Sequence, residues 1–262
     1  MSAPQEYSAA EMMTVAAARL LTGQDVCFVG IGLPSAAANL ARLTHARSIV
    51  LIYESGPIGA KPDALPLSIG DGSLAETADT VVSTSEIFRY WLQGGRVTVG
   101  FLGAAQIDRF ANINTTVIGD YRRPTTRLPG AGGAPEIANC AGKVILMLNQ
   151  SRRSFVEKVD FITSVGHRDG GDARKRLGLP GKGPVGVVTD LCLMEPDAVT
   201  KELTVTHLHP GITRQEVEAA TAWKIRFAGQ VEETPRPNSL ELETLRQLQR
   251  RTALAHGQGP AA

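Results

Sequence analysis

The sequence contains few cysteines and few aromatic residues, and its charges nearly cancel. Its 262 residues include 3 Cys and 5% aromatics, and the formal net charge is +1. Cys27, Cys140 and Cys192 are odd in number and widely spaced, so they predict neither a disulfide framework nor a metal site. This cysteine usage favours a reducing, cytoplasmic compartment. The near-zero charge argues against general nucleic-acid binding, which needs a basic excess.

The sequence also lacks an apolar run long enough to cross a membrane. A spanning helix needs about 20 apolar residues, and the uncharged stretches here are interrupted by Gly and Pro. Residues 1–13 carry acidic side chains and no basic ones, which argues against a secretion signal. We therefore predict neither membrane insertion nor export.

The apolar content is high enough for a folded protein. Hydrophobic residues make up 43% of the chain, which excludes general disorder. A chain of this length can bury a sizeable core without disulfides or metals. No repeat or convincing linker divides it, so we predict a single domain over residues 1–262.

Helical and strand patterns alternate along the chain. Ser8 and Glu11 form a capping-box pattern ahead of an amphipathic helix, and Pro34 marks the start of a second helix. The continuous apolar run Ser48–Tyr53 is typical of a parallel strand covered on both faces. Further predicted elements are strands Val26–Val29, Val97–Leu102, Val144–Leu148 and Val185–Val188, and helices Ser85–Gln93, Thr213–Trp223 and Leu240–Leu254.

This alternation predicts an α/β fold with an open parallel or mixed sheet and helices on both faces. The glycine-rich stretch Gly166–Gly186 is predicted to be an inserted loop and the least constrained part of the chain.

Glu54 is the most informative ionisable residue. It follows an apolar strand and precedes Ser55 and Gly56, at the edge where open α/β sheets bind ligands. A partly desolvated carboxylate there can act as a base or as a nucleophile that becomes acylated. The alternative is a structural role, in which Glu54 caps a turn or pairs with a lysine such as Lys61.

A second function competes for the same residue. Gly30 and Gly32 lie between a strand and a helix, and Glu54 follows some 22 residues after Gly32, as in a dinucleotide-binding fingerprint. Ser35, however, occupies the position of the third glycine, and Pro34 lacks the N–H that a pyrophosphate needs. This non-catalytic, nucleotide-binding alternative is therefore only partly supported.

A second candidate site is the glycine loop, defined here as residues 129–134 (PGAGGA). Glycines let backbone N–H groups converge on one point, as an oxyanion requires. Gly130, Gly132, Gly133 and Ala134 are therefore candidates to bind an oxyanion or the ligand near it. The alternative is an ordinary turn, with Glu136 serving as a helix-dipole partner.

The remaining reactive residue types are predicted to be structural. There is no nucleophile elbow of the serine hydrolases. Cys27 and Cys192 lie in apolar strands, and Cys140 has no evident histidine partner. His207 and His209 alternate on one strand without a third ligand, so no metal site is predicted. His167 lies in a loop from which it could reach a pocket.

The positive charge is concentrated in the middle of the chain. Residues 121–182 hold 12 basic and 5 acidic side chains, a balance of +7, whereas residues 1–120 have a balance of −4. This distribution suits a phosphate-bearing ligand. The alternative is that runs such as ARKR (Ala173–Arg176) form a solvated surface.

Several of these segments together resemble the β subunits of class I coenzyme A transferases, in particular the glutaconate CoA-transferase type. The resemblance runs from about residue 7 to residue 235. It is greatest to the bacterial branch that acts on 3-oxoadipate in aromatic degradation. The matching motifs, in chain order, are GIGLP (30–34), YESG (53–56), GAAQID (103–108), INTTVIGDY (113–121), PGAGGA (129–134), FVEKVDFITSVG (155–166) and RLGLPG (176–181).

The resemblance implies a ping-pong transfer of CoA from succinyl-CoA or another acyl-CoA to a dicarboxylic acid. The family's nucleophilic glutamate falls on Glu54, and its glycine motif on Gly130, Gly132 and Gly133. It further implies a CoA thioester as substrate, no tightly bound cofactor, and a partner chain, the α subunit. The alternatives on the same fold are CoA-thioester hydrolases and decarboxylases, some of which have replaced the glutamate that this chain retains.

Overall fold

The structure is a computed structural model that describes residues 6–257. The predictions for the start of the chain and for a domain over residues 1–262 lie partly outside the described residues. Within residues 6–257, no helix is both long enough and apolar enough to span a bilayer.

The longer helices begin at capping residues or at proline, and the others span only one or two turns. In chain order the helices are α1 (Ala9–Ala18), α2 (Leu33–Leu43), α3 (Gly72–Glu76), α4 (Thr84–Glu86), α5 (Ala134–Cys140), α6 (Ala173–Arg176), α7 (Arg214–Ala219) and α8 (Ser239–Ala255).

The strands are short and mostly buried where they are apolar. In chain order they are β1 (Val26–Phe28), β2 (Val50–Ile52), β3 (Pro57–Ile58), β4 (Thr80–Val81), β5 (Val99–Leu102), β6 (Gln106–Ile107), β7 (Ile113–Asn114), β8 (Val117–Gly119), β9 (Pro124–Arg127), β10 (Lys143–Met147), β11 (Pro184–Val188), β12 (Cys192–Pro196), β13 (Leu203–Leu208) and β14 (Arg226–Glu233).

The chain divides into two compact units. Unit 1 comprises Met1–Arg89 and Arg236–Ala262, and unit 2 comprises Tyr90–Pro235. The structure describes unit 1 only within residues 6–257. The expectation of a single domain stays a prediction.

Unit 1 contains a small mixed sheet. β1 and β2 run parallel with Phe28 opposite Ile52, and β2, β3 and β4 continue the sheet in antiparallel pairs. Leu51, Ile52 and Tyr53 are almost completely buried. The apolar run predicted as a parallel strand is therefore confirmed, although its regular part is restricted to β2.

The helices of unit 1 are tied together through their capping residues. Ser8 and Glu11 form the predicted capping box of α1, and Asn238 and Glu241 form another at the start of α8. The two glutamates also bind arginines: Arg246 of α8 donates to Glu11 (2.6 Å), and Arg19, directly after α1, donates to Glu241 (2.6 Å). Each helix start is thus stabilised by the other helix.

Unit 2 contains a larger mixed sheet in the order β14–β13–β12–β11–β10–β5. The pairs β5–β10 and β10–β11 are parallel, β11–β12 and β12–β13 are antiparallel, and β13–β14 is parallel. Two hairpin-like pairs, β6–β7 and β8–β9, lie outside this sheet. The predicted α/β fold with a mixed sheet and helices is confirmed.

Two predicted helices differ in detail. The segment predicted as a helix over Ser85–Gln93 begins as α4 and continues as a π-helix over Ile87–Leu92. The helix after Thr213 has the predicted capping box with Glu216, but it ends at Ala219 and does not reach Trp223. Local capping signals thus located the starts of helices better than their ends.

The prediction that Gly166–Gly186 is the least constrained part of the chain is wrong. Arg174 in α6 is only 8% exposed, and its guanidinium donates to several backbone carbonyls. A Cβ on Gly166 would lie 2.1 Å from Ala111 O, so the two backbones are in close contact. Part of ARKR is therefore buried and structural, because an arginine with many donors can satisfy several carbonyls at once.

Candidate active site

Glu54 lies in a tight turn at the carboxyl end of β2. The Gly56 N–H donates to Tyr53 O (3.0 Å), and the Tyr53 N–H donates to Pro57 O (3.1 Å). These bonds close the turn and reverse the chain into β3. Backbone hydrogen bonds therefore fix the position from which the Glu54 side chain projects.

Gly56 is required at the end of this turn for two reasons. Its φ is +122°, a conformation that residues with a side chain rarely adopt. A Cβ at this position would also lie 2.0 Å from Val82 O. The Val82 N–H donates to Gly56 O (3.1 Å), which ties the turn to the residue after β4.

The Glu54 carboxylate is half-buried, and it has no hydrogen bond or ion pair to any residue of the range 6–257. The lysine considered as its structural partner, Lys61, instead pairs with Asp79 (2.5 Å). The Lys61 pairing is therefore wrong. The half-buried Glu54 carboxylate is therefore available to a ligand or to another chain, at the sheet edge where open α/β folds bind ligands.

Gly30 and Gly32 lie at the same sheet edge as Glu54. The Val29 N–H donates to Ile52 O (2.9 Å), so the parallel strands β1 and β2 end side by side. No atom lies within 4 Å of where a Cβ would be on Gly30 or Gly32. The space beside these two glycines is therefore open. Ser55, the residue after Glu54, is half-buried like Glu54 itself.

A buried tyrosine lies directly before Glu54. Tyr53 is 0% exposed, and burial raises the pKa of its phenol. Its hydroxyl and that of Ser35 are buried without a hydrogen bond to the described residues. Ser35 also occupies the third position of the dinucleotide-binding fingerprint, and it is 0% exposed. No glycine therefore brings the backbone of α2 close to a pyrophosphate at this position.

The glycine loop lies in unit 2, between β9 and α5. Gly130 and Gly132 have φ values of +106° and +50°, and a Cβ on either would meet no atom within 4 Å. The loop is anchored to Thr115 by two hydrogen bonds: Gly130 N–H donates to Thr115 O (2.8 Å), and Thr115 Oγ1 donates to Gly130 O (2.7 Å). The glycines thus provide conformation and open space.

The free N–H groups of this loop differ from the predicted set. Gly130 donates to Thr115, and Ala134 donates to Ala131 O (3.1 Å), so neither N–H is open in this conformation. The N–H groups of Ala131, Gly132 and Gly133 have no acceptor among residues 6–257. Ala131 was missed because no side-chain type marks a free backbone donor.

A polar cluster behind the loop was also missed. Asn114 Oδ1 accepts from the N–H groups of Thr116 and Val117, and the Thr115 N–H donates to Thr163 Oγ1 (2.9 Å). Asn114 Nδ2 donates in turn to Gln106 Oε1 (2.8 Å). The motif INTT (113–116) could have indicated this cluster, since buried Asn and Thr side chains commonly hold loops.

Comparison with known proteins identifies the family. The family model described as coenzyme A transferase matches residues 10–220. The chain belongs to the coenzyme A transferase family. The resemblance inferred from the sequence motifs is thereby confirmed.

Similar coenzyme A transferases cover nearly the whole chain. The B subunit of 3-oxoadipate CoA-transferase from Pseudomonas knackmussii is 71% identical over 252 residues, which are 96% of this chain and 97% of that one. The B subunit of glutaconate CoA-transferase from Acidaminococcus fermentans is 35% identical over 243 residues, which are 90% of this chain and 91% of that one. The crystal structure of that glutaconate enzyme matches with a TM-score of 0.86 and 32% identity, covering 92% of this chain and 94% of the other.

In this coenzyme A transferase the other reactive side chains are held in structural contacts. Cys192 is buried and donates to Gln150 Oε1 (3.3 Å), and burial raises the pKa of its thiol to about 12. His209 is buried between Thr234 Oγ1 and Thr189 O. His167 is buried, and its Nε2 lies 2.8 Å from Pro184 O, so its predicted reach into a pocket is wrong.

Residues 6–257 contain no cluster of His, Cys, Asp and Glu able to hold a metal ion. Glu136, expected to act as a helix-dipole partner in the first turn of α5, accepts a hydrogen bond from Gln93 Nε2 (2.5 Å). Glu54 and the glycine loop belong to different units. That both act on one ligand stays a prediction.

Proposed function

We propose that this chain is the β subunit of a two-chain CoA-transferase that moves CoA from an acyl-CoA such as succinyl-CoA to 3-oxoadipate. The similarity to the B subunit of a 3-oxoadipate CoA-transferase over nearly the full length of both chains supports the acceptor and the α partner. The observation that carries the mechanism is the half-buried Glu54 carboxylate, which has no partner among the described residues.

The first half-reaction loads CoA onto the enzyme. A Glu54 carboxylate oxygen attacks the thioester carbonyl of the donor, the C–S bond breaks, and CoA thiolate departs. The product is a mixed anhydride between Glu54 and the donor acyl group. The thiolate then attacks the Glu54 carbonyl of that anhydride and releases the donor acid as a carboxylate. Glu54 is left as a glutamyl-CoA thioester.

The second half-reaction repeats these steps in reverse order. A carboxylate of the acceptor attacks the glutamyl thioester and forms a second anhydride with release of CoA thiolate. The thiolate attacks the acceptor's acyl carbon, which regenerates the Glu54 carboxylate. Because each step exchanges one acyl bond for another of similar energy, no ATP or tightly bound cofactor is needed.

Each attack places negative charge on a carbonyl oxygen. The open N–H groups of Ala131, Gly132 and Gly133 form the donor set that could stabilise such an oxyanion. One well-placed donor contributes about 3 kcal/mol to the transition state. The intermediates hydrolyse if water reaches them, so the α subunit is expected to help close the site.

A cytoplasmic location stays a prediction.

Covalent trapping tests the proposal. The α/β complex is incubated with succinyl-CoA in the absence of acceptor and treated with hydroxylamine or borohydride, and the modified residue is mapped by peptide mass spectrometry. We expect one modified residue, Glu54, and no modification in the Glu54→Gln complex or without succinyl-CoA.

Modification at another carboxylate would overturn the mechanism. The alternatives on this fold have a different readout in the same assay. Continuous release of free CoA without an acceptor would indicate a hydrolase, and release of carbon dioxide a decarboxylase. A transferase releases succinate in at most a stoichiometric amount until 3-oxoadipate is added, and it transfers CoA to 3-oxoadipate without a net release of free CoA.

A further inference from the structure

An open cavity of about 390 Å³ lies in unit 2. Three loop segments line it: residues 108–112, between β6 and β7, residues 157–162, and residues 168–169. Phe110, Val159 and Ile162 supply an apolar part of the wall. These residues have no part in the chemistry proposed for Glu54.

Arg168 at this cavity has an unusual backbone conformation. Its φ is +59°, which is uncommon for a residue other than glycine and costs energy unless the surroundings hold it. Asn112 provides that hold, because its Oδ1 accepts from the Arg168 N–H (3.0 Å) and its Nδ2 donates to Arg168 O (2.7 Å). Asn112 is itself 1% exposed and fixed by Asp108.

The carboxylates at the cavity already have partners. Asp108 accepts from Asn112 Nδ2 and from the Phe110 and Asn112 N–H groups, and burial raises the pKa of its carboxyl. Glu157 pairs with Arg109 (3.5 Å). Asp169 pairs with Arg176 (3.0 Å), which also binds Asp172.

Two cations at the cavity have no such partner. The guanidinium of Arg168 and the ammonium of Lys158 make no hydrogen bond or ion pair with any residue in the range 6–257. Arg109, the third cation, forms ion pairs with Glu157 and with Glu202, whose Oε1 lies 3.9 Å from Arg109 Nη1. The charge left unpaired at this cavity is therefore positive.

We infer that this cavity binds a phosphoryl group of the CoA substrate, with Arg168 and Lys158 as its ligands. Arginine presents a planar set of donors that fits phosphate oxygens, and lysine adds a point charge. The two hydrogen bonds from Asn112 fix the backbone of Arg168 at the cavity, so its side chain starts from a defined position. The inference rests on the proposed function, since it takes CoA as the ligand, and it locates the expected basic phosphate contacts within residues 121–182.

The test uses the α/β complex with the variants Arg168→Gln, Lys158→Gln and the double variant. Glutamine keeps the strained backbone at position 168 and an amide donor, and it removes the charge and the guanidinium group that are proposed to bind phosphate. Lys175→Gln is the matched control, because Lys175 is an exposed lysine of α6 whose side chain has no hydrogen bond or ion pair to the described residues and does not line the cavity. Calorimetry measures the Kd for CoA, dephospho-CoA, inorganic pyrophosphate and pantetheine.

We expect Arg168→Gln to weaken CoA binding by about tenfold, as the loss of one charged hydrogen bond implies. Pantetheine binding should not change, and Arg168→Lys should recover part of the loss. If the 3′-phosphate is the group bound, the variant and wild type will bind dephospho-CoA equally well. If the pyrophosphate is bound, dephospho-CoA binding will fall in the variant as CoA binding does.

Equal weakening of CoA and pantetheine by Arg168→Gln, or a loss no larger than in Lys175→Gln, would overturn the inference. So would a loss of pyrophosphate binding with unchanged CoA binding, because the cavity would then bind a free anion. Acylation of Glu54 in the Arg168→Gln complex separates the two proposals. If labelling persists while CoA affinity is unchanged, the phosphate assignment fails and the proposed function stands.

Discussion

Glycine has opposite roles in the Glu54 turn and in the glycine loop. In the turn, Gly56 lets the backbone close on Val82, and the free group is a side chain, the Glu54 carboxylate. In the glycine loop, Gly130 and Gly132 face open space, and the free groups are backbone N–H donors.

The contrast shows how glycine serves two purposes. At Gly56 a side chain is excluded by the protein's own backbone, so the glycine serves the fold. At Gly30, Gly130 and Gly132 nothing in the described structure occupies the side-chain position, so the open space is available to a ligand. Substitutions at the two kinds of position should therefore separate stability from activity.

The largest effect is expected from the side chain that the turn presents. Glu54→Gln should lower kcat on the order of 10⁴-fold or more, because the amide cannot become acylated. The free energy of unfolding should hardly change, since the carboxylate has no partner among the described residues. Steady-state kinetics and urea denaturation of the complex measure the two quantities.

The matched control is Glu76→Gln, an exposed glutamate of α3 in the same unit, which should keep wild-type kcat. A Glu54→Gln enzyme with activity near that of wild type would remove Glu54 from the mechanism and leave the turn as a structural feature.

A smaller effect, but on stability, is expected from Gly56→Ala. The added Cβ meets Val82 O at 2.0 Å in a backbone with φ of +122°, and we expect a loss of about 2–3 kcal/mol. Gly30→Ala meets no atom and should leave the free energy of unfolding unchanged, while raising KM for acyl-CoA if a ligand uses that space. Thermal denaturation and kinetics on both variants measure this difference; equal destabilisation would contradict it.

The smallest effect concerns how the glycine loop is held. Thr115→Val removes the hydrogen bond from Oγ1 to Gly130 O (2.7 Å) but keeps the shape of the side chain. We expect kcat to fall about fivefold to tenfold, as the loss of about 1 kcal/mol of positioning implies. Thr126→Val, at an exposed position of β9, is the control and should leave kcat unchanged. Identical kinetics for the two variants would mean that Thr115 does not position the loop.

Local signals in the sequence predicted much of this structure. The Ser8 and Thr213 capping boxes, the parallel strands and the sheet-edge position of Glu54 all depend on residues close in the chain. The π-helix after α4 was not predictable, because a one-residue change in hydrogen-bond spacing leaves the apolar pattern almost unchanged.

Long-range contacts account for the remaining errors. Arg174 looked like part of a solvated basic run, yet it is buried against carbonyls of residues 138–139 and 165–166. The Asn112 hold on Arg168 likewise joins residues 56 positions apart. No local sequence pattern predicts either contact, because the side chains of Arg174 and Asn112 bind backbone atoms, which every residue has.

The reciprocal arginine–glutamate contacts between α1 and α8 have a consequence for biosynthesis. α1 is made before unit 2, whereas α8 is made only after all of unit 2. During that interval the partner of Glu11, Arg246, does not yet exist. The surfaces of α1 and α2 that contact α8 in the folded chain are also not yet covered by it. Nascent chains stalled before residue 239 should therefore hold unit 1 in a protease-sensitive, chaperone-binding form, and release of α8 should end that vulnerable period.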